Sequence, residues 1–357
     1  MAIESKLISQ LKKEQKVLLP VPGLKLHFNK KQLKELPFRP DFQAQAEFKD
    51  NRFRIIGEVI AQNSSVIFKD KLLKLNAHLP ADTDLVPILL ARYLSPDRQR
   101  KCKDEGVNFI DLSGNIFIDY GNLYIERVGF PNRFPERRKG RGPFSDKASL
   151  ILRKLISEKD KIWGIRELAG VIDLDPGFVS RMVKELEKRN YVVRVNSKIR
   201  VRNAKAILDD WVHEYNYKKN RAMTYFSLAG NAWEIIEDLS KLKIPDNVNY
   251  ALSLHAGASL ISRHAVFESV HIYVQNQQVA DYFIKQLKLK LVDQGENVVF
   301  LFPYYKNSAF YDKQIIKGLW LASDIQLYLD LYNYPIRGLE QAEHLYEKRF
   351  TDVINNR

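Results

Sequence analysis

Two sets of side chains in this 357-residue chain could do chemistry. The first is acidic. Asp111 and Glu126 fall on strand candidates in a region of mixed strand and helix, a setting in which a restriction-endonuclease-like domain holds a divalent ion with carboxylates and activates water with a lysine near the second acid. The second acid here reads Glu126-Arg127-Val128 and lacks that lysine, while Asp111 precedes Ser113-Gly114-Asn115, where an aspartate satisfies turn backbone locally. Asp111 is therefore predicted to anchor a turn. A metal-dependent nuclease of a defence system using Asp111 and Glu126 is the alternative function. The seven histidines show no HExxH spacing, and His255, His264 and His271 are predicted on no common face, as core or surface residues. No metal ligand set and no cofactor are predicted. LHAGASL, with one glycine and no phosphate-loop pattern, reads as a close helix-sheet packing point.

The second set is cationic, and its chemistry is the reading of nucleic acid. In PGFVSRMVKELEK, Val179, Met182, Val183 and Leu186 recur at the spacing of one buried helical face, which turns Gly177, Ser180, Arg181, Lys184 and Lys188 outward. Asp175 is the predicted cap and Pro176 the first helical residue, since a helix's first amide has no acceptor to lose. Arginine and lysine at such positions can address guanine O6 and N7, and Ser180 a base or a phosphate. YVVRVNSKIRVRN then alternates apolar and basic residues around Asn196-Ser197. It predicts a ribbon with Val193, Val195, Ile199 and Val201 on one side and Arg194, Lys198, Arg200 and Arg202 on the other.

Two earlier helices must position this pair. SDKASLILRKLISE has Ser145 at a capping position and Ala148, Leu152, Leu155 and Ile156 on one face, and GIRELAGVI repeats the pattern with Ile165, Leu168, Ala169 and Ile172. Three helices followed by a basic hairpin predict a winged helix-turn-helix, with the third helix in the major groove and the wing on phosphates.

The charge is gathered where this reading needs it. The chain carries 57 Lys+Arg against 43 Asp+Glu, a formal charge of +14, and residues 132–220 hold 22 of the bases against 12 of the acids. That local excess is the footprint of a nucleic-acid module. NRFPERRKGRGPF, with Arg137, Arg138 and Lys139, reads as a basic linker able to lie along phosphates. With one cysteine, Cys102, neither a disulfide framework nor a cysteine-based zinc site is expected. The charged start and the absence of an 18-residue apolar run predict no signal peptide and no membrane span, hence a cytoplasmic protein.

The fold class expected is a multidomain α+β chain. Residues 1–48 read as an N-terminal extension, 49–131 as an α/β domain of degenerate restriction-endonuclease-like type, 132–143 as the linker, 144–217 as the winged helix and 218–357 as a C-terminal α/β domain. Within the first α/β domain FRIIGEVIA and SSVIF look strand-like, VPILLARYLSPDRQRKCKDEG helical, and GVNFIDLSGNIFIDYGNLYIERVG three short strands turning at SGN and YGN. In the last domain NYALSL, ESVHIYV and NVVFLFPYY are strands, and SDIQLYLDLYNY a helix capped by Ser323.

The wording GVNFIDLSGNIFI and LYIERVG ahead of the winged helix, then YALSLHAGASL and SDIQLYLDLYNYPIRGLEQAEHLYEK, resembles the AbiEi-type antitoxins and AbiEi-like transcriptional regulators of type IV toxin-antitoxin systems, from about Val86 onward. The resemblance implies a repressor of a toxin-antitoxin or related phage-defence locus that binds double-stranded operator DNA. It implies as second partner a nucleotidyltransferase-like toxin opposed without a tight complex, and it admits a homodimer. Carried onto this chain, the implied DNA contacts are Ser180, Arg181, Lys184 and Lys188 on the third helix and Arg194, Lys198, Arg200 and Arg202 on the wing.

Overall fold

The computed structural model describes residues 3–18, 22–28, 38–49, 51–61, 64–77, 85–121, 123–134 and 142–351. The linker cations Arg137, Arg138 and Lys139 lie outside the described residues. The architecture is mixed α/β, in two compact units, Met1–Arg137 and Arg138–Arg357.

The first unit runs α1 (Ile3–Leu18), β1 (Leu24–Phe28), β2 (Phe42–Phe48), β3 (Asn51–Ile60), α2 (Ser65–Ala77), β4 (Leu85–Ala91), α3 (Pro96–Asp104), β5 (Asn108–Asp111), β6 (Ile116–Tyr120) and β7 (Leu123–Arg127). Its seven strands lie side by side in chain order. β1 to β3 are antiparallel, β3, β4 and β5 are parallel, and β5 to β7 form an antiparallel meander. The meander turns where SGN and YGN marked it, with Gly114 and Gly121 at φ 108° and 57°.

Three sequence assignments are corrected here. VPILLA is the central strand β4, because a short continuous apolar run fits a strand covered on both faces as well as a buried helix. Leu7 and Leu11 of α1 lie in the core on one side of the sheet with Val86, Ile88 and Leu90, and Phe68, Leu72 and Leu75 of α2 lie with Leu89 on the other. SSVIF opens helix α2 rather than a strand: parallel β3 and β4 need a crossover between them, and that demand overrides the β-branched pair. Residues 24–28 and 42–48, read as part of an extension, supply the edge strand β1 and its neighbour β2.

The second unit opens with α4 (Asp146–Ser157), α5 (Ile165–Val171), α6 (Pro176–Lys188), β8 (Val192–Val195), β9 (Lys198–Val201) and α7 (Ala204–Glu214). It continues with β10 (Arg221–Phe226), α8 (Ala232–Lys241), β11 (Tyr250–Ser253), α9 (Leu254–Ile261), β12 (Val270–Val274), α10 (Gln277–Gln286), β13 (Lys290–Leu291), β14 (Val298–Phe302), β15 (Gln314–Ile316), β16 (Leu319–Leu321), α11 (Asp324–Tyr332) and α12 (Gly338–Arg349). Its sheet has the order β13-β10-β14-β12-β11-β16-β15, with parallel pairing at β14/β12 and β11/β16. Ser323 caps α11 as expected, its hydroxyl accepting from the Gln326 amide.

The small-residue stretch LHAGASL packs as closely as its composition predicts. A Cβ on Gly257 would stand 2.7 Å from both the Leu252 carbonyl oxygen and a Leu327 methyl. Gly257→Ala is therefore expected to cost about 1 to 3 kcal/mol through overpacking, although alanine is the better helix former, which a urea melt would measure.

The central helices are tied into the same unit by buried polar groups. α4 is buried nearly all round, where the sequence showed only one apolar face. Arg153, 1% exposed, donates to the Gln326 side-chain oxygen at 2.5 Å and to Ser323 Oγ at 3.2 Å. Gln326 in turn donates to the carboxylate of Asp330, which also accepts from Tyr215, Tyr273 and Ser253. Burial pushes the Asp330 carboxyl up, against the hydrogen bonds that favour its ionised form.

Candidate nucleic-acid interface

Asp175 stands at the N-cap of α6, its carboxylate accepting from the Phe178 amide at 2.8 Å, and Pro176 follows as the first helical residue. The turn from α5 passes through Asp173 in the left-handed region, φ 51°, and closes with the Leu174 amide on the Ala169 carbonyl. Val179, Val183 and Leu186 are fully buried against the preceding helices, and Met182 is half-buried. α6 ends in a Schellman motif: Asn190, φ 59°, takes the left-handed position, with Tyr191 N–H on Leu186 O and Asn190 N–H on Glu187 O. This reversal launches the hairpin.

The outward face of α6 presents Gly177, Arg181, Lys184 and Lys188, all exposed, with Ser180 half-buried at its margin. Lys188 is held by Glu185 at 2.6 Å. Arg181 and Lys184 form no ion pair among the described residues, and the Arg181 guanidinium lies 6.0 Å from the Phe178 ring.

The hairpin corrects the predicted wing. Asn196 and Ser197, at φ 47° and 67°, form a two-residue turn of the primed type, so Val195 pairs with Lys198, Arg194 with Ile199 and Val193 with Arg200. Residues directly opposite share a face. Val192, Arg194, Ile199 and Val201 therefore lie on one side and Val193, Val195, Lys198 and Arg200 on the other. The sequence reading grouped valines with isoleucine and missed that a two-residue loop pairs an odd position with an even one. Arg194 consequently shares the face of buried Val192 and Ile199, and its exposed guanidinium is clamped by Glu187 at 2.6 Å. Lys198, Arg200 and Arg202 remain exposed and form no ion pair among the described residues.

Two residues that the sequence did not single out brace this unit. Trp163, fully buried between α4 and α5, exchanges both backbone hydrogen bonds with Ile199 at 2.8 Å and so adds a third short strand to the hairpin. The Lys161 ammonium covers its ring at 3.6 Å. Tyr191, also fully buried, donates its hydroxyl to Asp210 of α7 and fixes the hairpin's other end. Apolar alternation could have flagged Trp163, but nothing local pairs it with Ile199.

The acidic pair does not converge. Asp111 accepts from the amides of Leu94, Ser113 and Asn115 and from the Asn115 side chain, all at 2.8 to 3.0 Å, which is the turn-anchoring role expected of it. Glu126 is opposite Phe117, which is opposite Phe109. It thus lies two strands and two residues from Asp111, on the order of 10 Å across the sheet and 7 Å along it. It pairs with Lys103 and Tyr124 instead. The histidine expectation needs one correction. His255 and His271 both approach Tyr334, at 5.4 and 5.6 Å between ring centroids, while His264 stacks on His344. His255 and His271 are buried, as core histidines, and no group of three or more metal-binding side chains occurs among the described residues.

The second unit thus defines a class: a basic three-helix and hairpin module built into an α/β domain with a seven-stranded sheet. Residues 200–351, from the second hairpin strand through α12, match the family described as transcriptional regulator, AbiEi antitoxin, type IV toxin-antitoxin system. This is the family that the wording of the C-terminal elements resembled. No curated protein matches the chain. Among the described residues no helix is long and apolar enough to cross a membrane.

Proposed function

We propose that residues 144–217 are a winged helix-turn-helix DNA-binding domain and that the protein is a cytoplasmic transcriptional repressor, the antitoxin of a type IV toxin-antitoxin or related phage-defence locus. The observation that carries this reading is the outward face of α6, where Arg181 and Lys184 stand exposed beside Gly177 and Ser180, next to a hairpin carrying Lys198 and Arg200. α6 would enter the major groove, Arg181 and Lys184 addressing guanine edges, while Lys198, Arg200 and Arg202 meet flanking phosphates. Lys188 would add a phosphate contact at the end of the helix, and Arg137, Arg138 and Lys139 of the linker would extend the track. The family match supports the regulatory role and a toxin partner; that this toxin is of nucleotidyltransferase-like type and is opposed without a tight complex is what the resemblance implies. A homodimer on a two-fold operator suits a reader of this kind. No cofactor enters this reading.

Fluorescence anisotropy of the full chain on its own promoter fragment and on a shuffled fragment, from 50 to 200 mM salt, tests the proposal. Binding at least about 1,000-fold tighter to the promoter is expected, with affinity falling steeply as salt rises. Equal affinity for both fragments would refute it. Lys198→Ala and Arg200→Ala should each flatten the salt slope by about 0.9 for every phosphate that is no longer neutralised. Arg194→Ala should change the slope less, because Glu187 already neutralises that guanidinium.

A further inference from the structure

The described part of the second unit contains a cavity of about 320 Å³ that neither the face proposed to read DNA nor the buried network around Asp330 uses. It lies where the carboxyl end of α8 and the loop that follows it meet the β15–β16 hairpin, and Leu239, Leu242, Ile244, Val248, Tyr250 and Trp320 supply its apolar lining. Two charged residues share that lining, one of each sign. Lys313, just ahead of β15, and Asp246, in the loop, form no ion pair with each other or with any other of the described residues.

We propose that this cavity binds a free α-amino acid with an apolar side chain, its carboxylate on Lys313, its ammonium group on Asp246 and its side chain against the apolar lining. Three features carry this. First, Lys313 lacks the partner that other lysines in similar surroundings have. The partly buried Lys71, Lys103 and Lys154 each hold a carboxylate. The Lys313 ammonium instead donates to the neutral side-chain oxygen of Asn249 at 2.7 Å and lies 4.1 Å from the centroid of the Trp320 ring. An ammonium has three donors to satisfy, so a ligand carboxylate meets a need that the chain leaves open. Burial pushes the Lys313 pKa down, and no acid holds it up. Second, the carboxyl end of α8 contributes Leu239 and Ser240 to the lining that Asp246 shares. The last carbonyls of a helix lack intrahelical partners and favour positive charge, so they reinforce Asp246 as the receptor for an ammonium group. Third, the volume lies at the low end of the roughly 300 to 1,000 Å³ of ligand pockets, which suits a molecule of amino-acid size. A residue within a peptide would fit less well, because peptide bonds remove both of its backbone charges.

Both charges stand on short, well-tied segments, which limits what ordering the site costs on binding. Asp246 occupies a tight turn closed by the Val248 amide on the Pro245 carbonyl at 2.9 Å. Lys317 and Gly318, at φ 52° and 78°, form the two-residue turn between Ile316 and Leu319 and so fix the hairpin that carries Trp320. The Trp320 amide donates to the Tyr250 hydroxyl at 3.4 Å, which joins that hairpin to the buried floor of the cavity. The amino-acid site does not depend on the function proposed for the three-helix and hairpin module, and its test involves no DNA.

Isothermal titration calorimetry of the full chain tests this with L-leucine and L-phenylalanine, each beside the corresponding acid without the amino group and the corresponding amine without the carboxylate. At least one of the two amino acids is expected to bind once per chain with a Kd below about 1 mM. Its acid and its amine should each bind at least about tenfold more weakly, the scale of one lost bond between charged groups. Lys313→Met should weaken the amino acid by a similar factor and bring the amine level with it, while Asp246→Asn should do the same and bring the acid level. Loss of packing alone would not produce that exchange of preferences. Asp246 is exposed and Lys313 half-buried, so both variants are expected to fold, with circular dichroism as the control. Absence of binding by both amino acids up to about 10 mM would overturn the site. An acid that binds the wild type as tightly as its amino acid would overturn the ligand class, and amino-acid binding unchanged in both variants would place it outside this cavity.

Discussion

Arg181→Ala combined with Lys184→Ala is expected to erase most of the protein's preference for its own promoter while leaving its affinity for arbitrary duplex nearly intact. Each bidentate contact to a base edge contributes about 1 to 3 kcal/mol of discrimination, so removing two should reduce the specificity ratio by one to four orders of magnitude. The fold itself should survive. Both side chains are exposed, neither pairs with an acid among the described residues, and the buried stripe of Val179, Val183 and Leu186 is untouched. Competition binding between promoter and shuffled fragments reads the ratio directly, with circular dichroism as the control on helix content. An unchanged ratio in a folded double variant would show that another face of the module reads sequence.

Asp330→Ala should cause a larger loss of stability than any other substitution proposed for this chain. The carboxylate accepts from Tyr215 at 2.6 Å, Ser253 at 2.6 Å, Tyr273 at 2.9 Å and Gln326 at 2.9 Å, and all of these groups are buried. Its removal strands four donors and takes away the negative charge that offsets Arg153, which is itself sealed between α4 and α11. Breaking a buried ionic network from one side costs about 3 to 5 kcal/mol. For a unit of this size that corresponds to a fall in melting temperature on the order of 10 °C. Asp330→Asn, which keeps an acceptor, should recover part of it. A melting point for the alanine variant within a degree of wild type would show that the network contributes little. Because the network joins the helices before the hairpin to the sheet after it, the alanine variant should also weaken the proposed DNA binding without touching any residue proposed to face DNA.

The elements that were legible from sequence share one property: their signal is local. The cap at Asp175 with Pro176, the 3.6-residue stripe of α6, the turn at Asn196-Ser197 and the cap at Ser323 depend only on backbone geometry within a few residues. The errors arose where a partner distant in the chain decides. VPILLA is a strand because cores form on both of its faces, and SSVIF is a helix because two parallel strands had to be joined. Arg194 shares a face with Val192 and Ile199 rather than with Lys198 and Arg200 because register, set by the turn length, paired it with Ile199.

The amino-acid order alone therefore determined a basic three-helix and hairpin module, the cations on its third helix and a likeness to the family whose description matches residues 200–351. Only the folded chain decided which of those cations are held by neighbouring acids, and only it brought Asp41, Glu58 and Lys71 together from segments as much as thirty residues apart. The reason is physical. Capping and amphipathic periodicity act over a single helical turn, whereas ion pairing and strand register act between segments that meet only after the chain has packed.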